Sequence, residues 1–202
     1  MTRTLYYTAR SPYARKVLIL LAEKNLAVEL RETDIINKSP EFLKISPIGK
    51  VPVLVDEDGT TLWDSTLIIE YLDETYPDPN LYPREKQAYL QSRQWEELAD
   101  TLADNAITLW YQKLKSDPSV DLSNSRNQLT IDRVLAWFNQ QLIDSDYLLG
   151  NTFSVVDIAT VSALGYYNLR FGEEWQQKYL KLGQWFTRLH ERESIQSTAP
   201  KA

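Results

Sequence analysis

Tyr76-Pro77-Asp78-Pro79-Asn80-Leu81-Tyr82-Pro83 places three prolines within eight residues. Each proline removes a backbone donor and disfavours helix in the residue before it, so no regular element is expected to cross this stretch. The chain of 202 residues therefore divides here. The expected units are residues 1–76, a linker at 77–84, and residues 85–202.

The two sides differ in period. Before the break, Leu5-Tyr6-Tyr7 reads as a first strand. Ala14 to Lys24 reads as a helix, with Ser11 as N-cap and Pro12 at the first helical position. Val28 to Thr33 alternates as a second strand, and Pro40 to Ile45 reads as a short helical turn. Val53-Leu54-Val55 and Thr61-Leu62-Trp63 flank Asp56-Glu57-Asp58-Gly59, a hairpin signal, and a helix follows from Ser65 to about Thr75. The order βαβαββα is that of a mixed α/β unit. After the break, Trp95, Leu98, Leu102, Ala106, Trp110 and Leu114 recur every three or four residues, as one face of a long helix does. Ile131, Leu135, Phe138 and Leu142 mark a second helix. A third follows Gly150, and a fourth includes Leu182, Trp185 and Leu189. The second unit is expected to be an all-helical bundle.

Composition removes several chemistries. Apolar residues make up 43% and charged residues 25% of the chain, a globular balance. With 22 basic and 28 acidic residues the net charge is −6, so neither nucleic acid nor an anionic membrane is an expected partner. Cysteine is absent, which excludes disulfides, thiolate metal sites, Cys-X-X-Cys redox chemistry and a cysteine nucleophile. The single histidine, His190, lies among Arg188, Glu191 and Arg192 and reads as a surface or packing residue. A histidine-based triad or metal site lacks material, and no metal is expected. Met1-Thr2-Arg3-Thr4-Leu5 shows no apolar signal core, and Val17 to Ala22 is too short to span a bilayer. A cytoplasmic protein is expected.

Three segments gather polar groups where a strand or loop meets a helix. Ser11, after Arg10, aims a hydroxyl and free backbone N–H groups at one point, an end that favours an anion. Ser-Pro is also an ordinary way to start a helix. In Lys50-Val51-Pro52, a cis Val51–Pro52 bond would turn the Val51 N–H and C=O outward to pair with an extended peptide; a trans turn before an edge strand is the commoner geometry. In Asp64-Ser65, N–H groups and the Ser65 hydroxyl suit a carboxylate and Asp64 suits an ammonium, although either residue also serves as a plain cap.

Taken together, these residues resemble the cytosolic glutathione S-transferases over nearly the whole chain. Ser11-Pro12-Tyr13-Ala14-Arg15-Lys16-Val17 is similar to the Ser-Pro-x-x-x-Lys/Arg-Val run of serine-type classes, and its wording is also similar to the chi-type class of cyanobacteria. Ser46-Pro47-Ile48-Gly49-Lys50-Val51-Pro52 resembles the family's Asn-Pro-x-Gly-x-Val-Pro run, with Ser46 in place of asparagine. Leu62 to Leu72 resembles Glu-Ser-x-x-Ile-x-x-Tyr-Leu, with Asp64 in place of glutamate and Leu67 at a commonly small position. Phe153-Ser154-Val155-Val156-Asp157 resembles the family's capping box, a structural feature.

The resemblance implies a thioredoxin-like domain that binds glutathione, followed by an all-helical domain. It implies glutathione as co-substrate with no further cofactor, small hydrophobic electrophiles as second substrates in detoxification, some peroxidase activity, and a homodimer. By position, Val51 and Pro52 should meet the cysteinyl backbone, Asp64 and Ser65 the γ-glutamyl end, and Lys38, Asn37 and Lys50 the glycine carboxylate. Ser11 is the leading thiolate donor and Arg10 its rival. Tyr6 and Tyr7 are further candidates, of which strand alternation lets only one face the cleft. Tyr13, Trp110, Tyr111 and Tyr166 are expected to line the electrophile pocket, with core packing the competing reading for Trp110. The alternative function is a non-catalytic binding or interaction module of the same fold.

Overall fold

β1 (Thr4–Tyr7) is the strand on which the first half is built, because it pairs on both edges. β2 (Glu29–Glu32) lies parallel to it, Leu5 opposite Leu30; β3 (Val53–Val55) lies antiparallel, Leu5 opposite Leu54. β4 (Thr61–Trp63) closes the order β2-β1-β3-β4 by a hairpin from β3. The computed structural model describes residues 2–143 and 145–201. Crossover helix α1 (Pro12–Glu23) and helix α3 (Ser65–Thr75) bury Val17, Leu20, Leu21, Ile68, Ile69 and Leu72 with Leu5 and Leu54. The short α2 (Pro40–Ile45) covers the other face with Phe42, against Val51, Val53 and Tyr6.

The proline-rich stretch is fastened to this unit. Lys24 pairs with Asp73 at 2.7 Å and donates to the carbonyls of Tyr76 and Pro79. Asp73 in turn accepts from the N–H groups of Leu81 and Tyr82, each at 3.0 Å. Both charges are buried, and each is matched by hydrogen bonds, the condition under which a buried pair is tolerated.

The second half comprises α4 (Lys86–Lys115), α5 (Arg126–Gln141), α6 (Val155–Phe171), α7 (Trp175–Lys178), α8 (Leu180–Leu189) and α9 (Glu193–Ser197). The short α7 and α9 have no signal of their own in the sequence period. α6 is apolar around nearly its whole circumference and lies against both α4 and α1. α1 is thus enclosed, and its Ala14, Arg15, Lys16 and Val17 are consecutive buried residues. Arg15 donates to the carbonyls of Val161 and Ile195, and a Cβ on Gly165 would collide with its guanidinium. Lys16 pairs with Glu96 at 2.9 Å and Asp100 at 2.8 Å on α4 and donates to Thr66 on α3.

One expectation is corrected. The α4 stripe was expected to run on through Trp110 and Leu114, but Leu114 is 61% exposed. The buried apolar set is Ala99, Leu102, Ala103, Ala106 and Leu109. α6, with 17 residues, runs beside α4, with 30, and the Val155 N–H at its start bonds the Leu81 carbonyl ahead of α4. Trp110 meets Phe171 at the end of α6, and the last turn of α4 runs past it.

Candidate functional site

Two helix N-termini and one irregular strand entry open on the same side of the sheet. At α1, the Ser11 Oγ accepts from Ala14 N–H at 3.1 Å. This uses a lone pair and leaves the hydroxyl proton available for an outside acceptor. Arg10, just before it, is exposed.

At α3, the Asp64 Oδ1 accepts from Thr66 and Leu67 N–H at 3.0 and 3.1 Å, so one oxygen caps the helix. Asp64 holds φ at +78°, outside the usual range for a non-glycine residue, at a cost of about 1–3 kcal/mol. Ser65 is 5% exposed and its hydroxyl has no hydrogen bond among the described residues. Between these helices the Val51–Pro52 bond is cis. Neither the N–H nor the C=O of Val51 is bonded among the described residues.

Ser46 holds this entry in place. Its hydroxyl donates to the Lys50 carbonyl at 2.9 Å and accepts the Lys50 N–H at 3.1 Å. The departure from asparagine is therefore filled by a smaller group making both bonds. The Lys38 chain lies over Gly49, where a Cβ would come within 3.1 Å of its Nζ, and Gly49 takes φ of +61°. Asn37 is engaged elsewhere, its amide donating to Asp34 at 3.0 Å. Lys50 is exposed.

The two strand tyrosines part as alternation requires. Tyr6 lies with Phe42 and accepts from Arg31 at 3.1 Å; Tyr7 packs on the opposite, α1-bearing face. Tyr13 donates to Asp104 of α4; burial, then Asp104, raises its pKa. Its proton is therefore held by α4.

Of the expected pocket residues, Tyr166 is 5% exposed, Trp110 half-buried and Tyr111 52% exposed. Burial pushes the Tyr166 hydroxyl up, against a hydrogen bond from Arg170 and the charges of Arg170 and Arg10. The same group senses Tyr111, and Tyr13 senses it, which brings Arg10, Tyr13, Tyr111 and Tyr166 to one region. Trp110 joins through Arg170, whose guanidinium lies 4.8 Å from the Trp110 ring and 5.4 Å from that of Tyr166.

Sequence reasoning missed Arg170, Asp104 and Asp100. Arg170 stands four residues after Tyr166 on one helix, a spacing that shares a face and was a usable signal. Asp100 accepts from Thr66 in the first turn of α3, and burial raises its pKa despite Lys16. His190 is half-buried against Phe186, ring centroids 4.3 Å apart, and burial lowers its pKa. No cluster of metal-ligating side chains occurs among the described residues. No helix among them is long and apolar enough to cross a membrane.

The family pattern described as glutathione S-transferase, N-terminal domain, matches residues 5–80, and that described as glutathione S-transferase, C-terminal domain, matches residues 123–188. The uncharacterized GST-like protein YibF of Escherichia coli (strain K12) is 31% identical over 194 residues, 94% of this chain and 95% of that protein. The chain belongs to the glutathione S-transferase family.

Elongation factor 1-gamma 2 of Oryza sativa subsp. japonica is 32% identical over 162 residues, 78% of this chain; the match spans 38% of that longer protein. A glutathione S-transferase of Methylobacillus flagellatus, solved with glutathione bound, superposes with a TM-score of 0.89 at 34% identity, covering 99% of this chain and 100% of that one. The fold expected from the sequence, an α/β unit with a mixed sheet followed by helices, is the fold of this family. The enzyme class expected, glutathione transferase, is the class named for the Methylobacillus flagellatus protein.

Proposed function

We propose that the chain is a glutathione-conjugating enzyme of serine type, close to the chi-like class, in which Ser11 steadies the thiolate. One observation carries the reading: the unpaired Val51 main chain at the cis Pro52 bond stands between two helix N-termini that keep unused hydrogen-bonding capacity. A γ-glutamyl peptide extended along this edge places its main chain on Val51, its amino-acid end at Asp64 and Ser65, and its glycine carboxylate near Lys38 and Lys50. Asn37, bonded to Asp34, contributes through the loop it shapes.

A cysteine-type thiol has a pKa of about 8.5, so being mostly ionised at neutral pH requires lowering it by about two units, roughly 2.7 kcal/mol. A helix N-terminus supplies up to about 2 kcal/mol, and a hydrogen bond to a charged group about 1.5–3 kcal/mol. Ser11 at the start of α1 offers both, and Arg10 adds charge from next door. The sulfur then attacks a carbon electrophile: the C–S bond forms, the leaving group departs with its bonding pair, and the thiol proton goes to solvent. The helical half supplies the second-substrate wall through Tyr13, Trp110, Tyr111 and Tyr166.

This reading extends to small hydrophobic electrophiles, peroxidase turnover, a detoxifying role in the cytoplasm and a homodimer, with functional division at residues 1–76, 77–84 and 85–202. A second reading, a non-catalytic interaction module, is favoured by the resemblance to elongation factor 1-gamma 2. Retention on glutathione resin followed by a conjugation assay separates the two: binding with turnover is expected, and absence of both favours the module.

A further inference from the structure

Besides Arg10, the aromatic wall contains two cations, Arg170 and Lys113, that thiolate formation does not use. Arg170, in the last turn of α6, is half-buried with its guanidinium over the rings of Trp110 and Tyr166, at 4.8 and 5.4 Å, and its Nε is buried with no hydrogen-bond partner. Lys113, in the last turn of α4, sits 5.9 Å from the Phe171 ring, and Phe171 packs on Trp110. The charge of Arg10, next to Ser11 in sequence, also acts on the Tyr166 hydroxyl. No carboxylate pairs with Arg10, Lys113 or Arg170 among the described residues. On the same wall, Asp104 accepts the hydrogen bond of the Tyr13 hydroxyl.

A pocket for purely apolar electrophiles needs aromatic walls alone; a guanidinium sunk among them loses hydration, and a buried donor without an acceptor is costly. The guanidinium already donates to the Tyr166 hydroxyl, and its accessible part has no carboxylate partner among the described residues, so a ligand that brings an acceptor completes it. A guanidinium presents parallel donors that fit a carboxylate by two bonds at once. We propose that the second-substrate pocket takes electrophiles bearing a carboxylate, with Arg170 as the residue that sets this specificity. The proposal rests on the conjugation reading above.

The test compares 4-chloro-3,5-dinitrobenzoate with its methyl ester, two aryl chlorides with the same leaving group that differ in charge. In each, the glutathione sulfur bonds to the ring carbon, chloride leaves with its electron pair, and the carboxylate or ester is untouched. With each rate divided by its uncatalysed rate, the carboxylate is expected to be favoured in kcat/KM by roughly tenfold or more, mostly through KM. Arg170→Met should bring that ratio near unity, and Arg170→Lys should restore part of it. An equal ratio in the wild-type chain, or one that survives Arg170→Met, overturns the proposal. Turnover of neither compound overturns the conjugation reading instead. The carboxylate preference is then read from quenching of tryptophan fluorescence by 3,5-dinitrobenzoate against its methyl ester: tighter binding of the anion upholds it, and equal binding overturns it.

Discussion

The helix starts at the cleft and the helix start inside the helical half solve the same problem in opposite ways. At α6, Asp157 is fully buried and spends both oxygens inside the protein: Oδ1 accepts from Leu148 N–H, and Oδ2 accepts from the N–H and hydroxyl of Ser154. At α1, Ser11 accepts one bond and keeps its proton; at α3, Asp64 caps with Oδ1 alone, and Ser65 is unbonded. The cap of α6 is saturated. In the proposed reading, the caps of α1 and α3 satisfy their helices and keep a proton or a lone pair for the ligand.

The strongest challenge to this contrast is Asp157→Ala, which leaves three buried donors without an acceptor. The loss of stability should be at least about 3 kcal/mol by denaturant unfolding, since each orphaned donor costs roughly 1–3 kcal/mol. A loss below about 1 kcal/mol would mean that α6 does not depend on its saturated cap.

Ser11→Ala should do the reverse. Stability falls by about 1 kcal/mol through the lost cap, while kcat/KM for conjugation falls roughly 10- to 100-fold with the lost thiolate hydrogen bond. Arg10→Ala, measured beside it by the thiolate absorbance of bound glutathione, should leave most of that absorbance. If the arginine change alone abolishes it, the reserve proton of Ser11 is not what activates the sulfur.

The smallest effect concerns pH. Burial raises the Asp157 carboxyl from its ordinary 3.8 to about 6, outweighing the donors around it. The folded state therefore holds the proton more tightly than the unfolded chain, and the resulting stabilisation is complete below about 3.8 and lost as pH rises through about 6. Relative to Asp157→Asn, the wild-type chain should gain about 1.4 kcal/mol between pH 7.5 and pH 5. A difference that stays flat with pH would show that the carboxylate is not penalised where it lies.

Much of the fold was legible because its signals are local. Pro12 after Ser11, the Asp58-Gly59 hairpin and the 3.6-residue stripe of α5 each follow from neighbours in sequence. The extent of the α4 stripe was not legible, because it depends on where α6 stops. At the site, Ser11, Val51 and Ser65 stood out through helix-start and proline chemistry. Arg170, Asp104 and Asp100 did not, since a charged residue on a helix reads as solvated until its tertiary neighbours are known. The strained φ of Asp64 has no sequence signature, and Asn37 was read from position without knowledge that Asp34 occupies its amide.

The enclosure of α1 by both halves bears on how such chains can be recombined. Arg15 and Lys16 are neighbours in sequence, yet one is committed to carbonyls of α6 and α9 and the other to carboxylates of α4. Swapping in a relative's helical half would strand both cations unless the grafted piece brought the receiving groups with it. Inheritance of this fold by exchange of parts should therefore cut through loops that face water, and carry α1 and its α4, α6 and α9 contacts as one block.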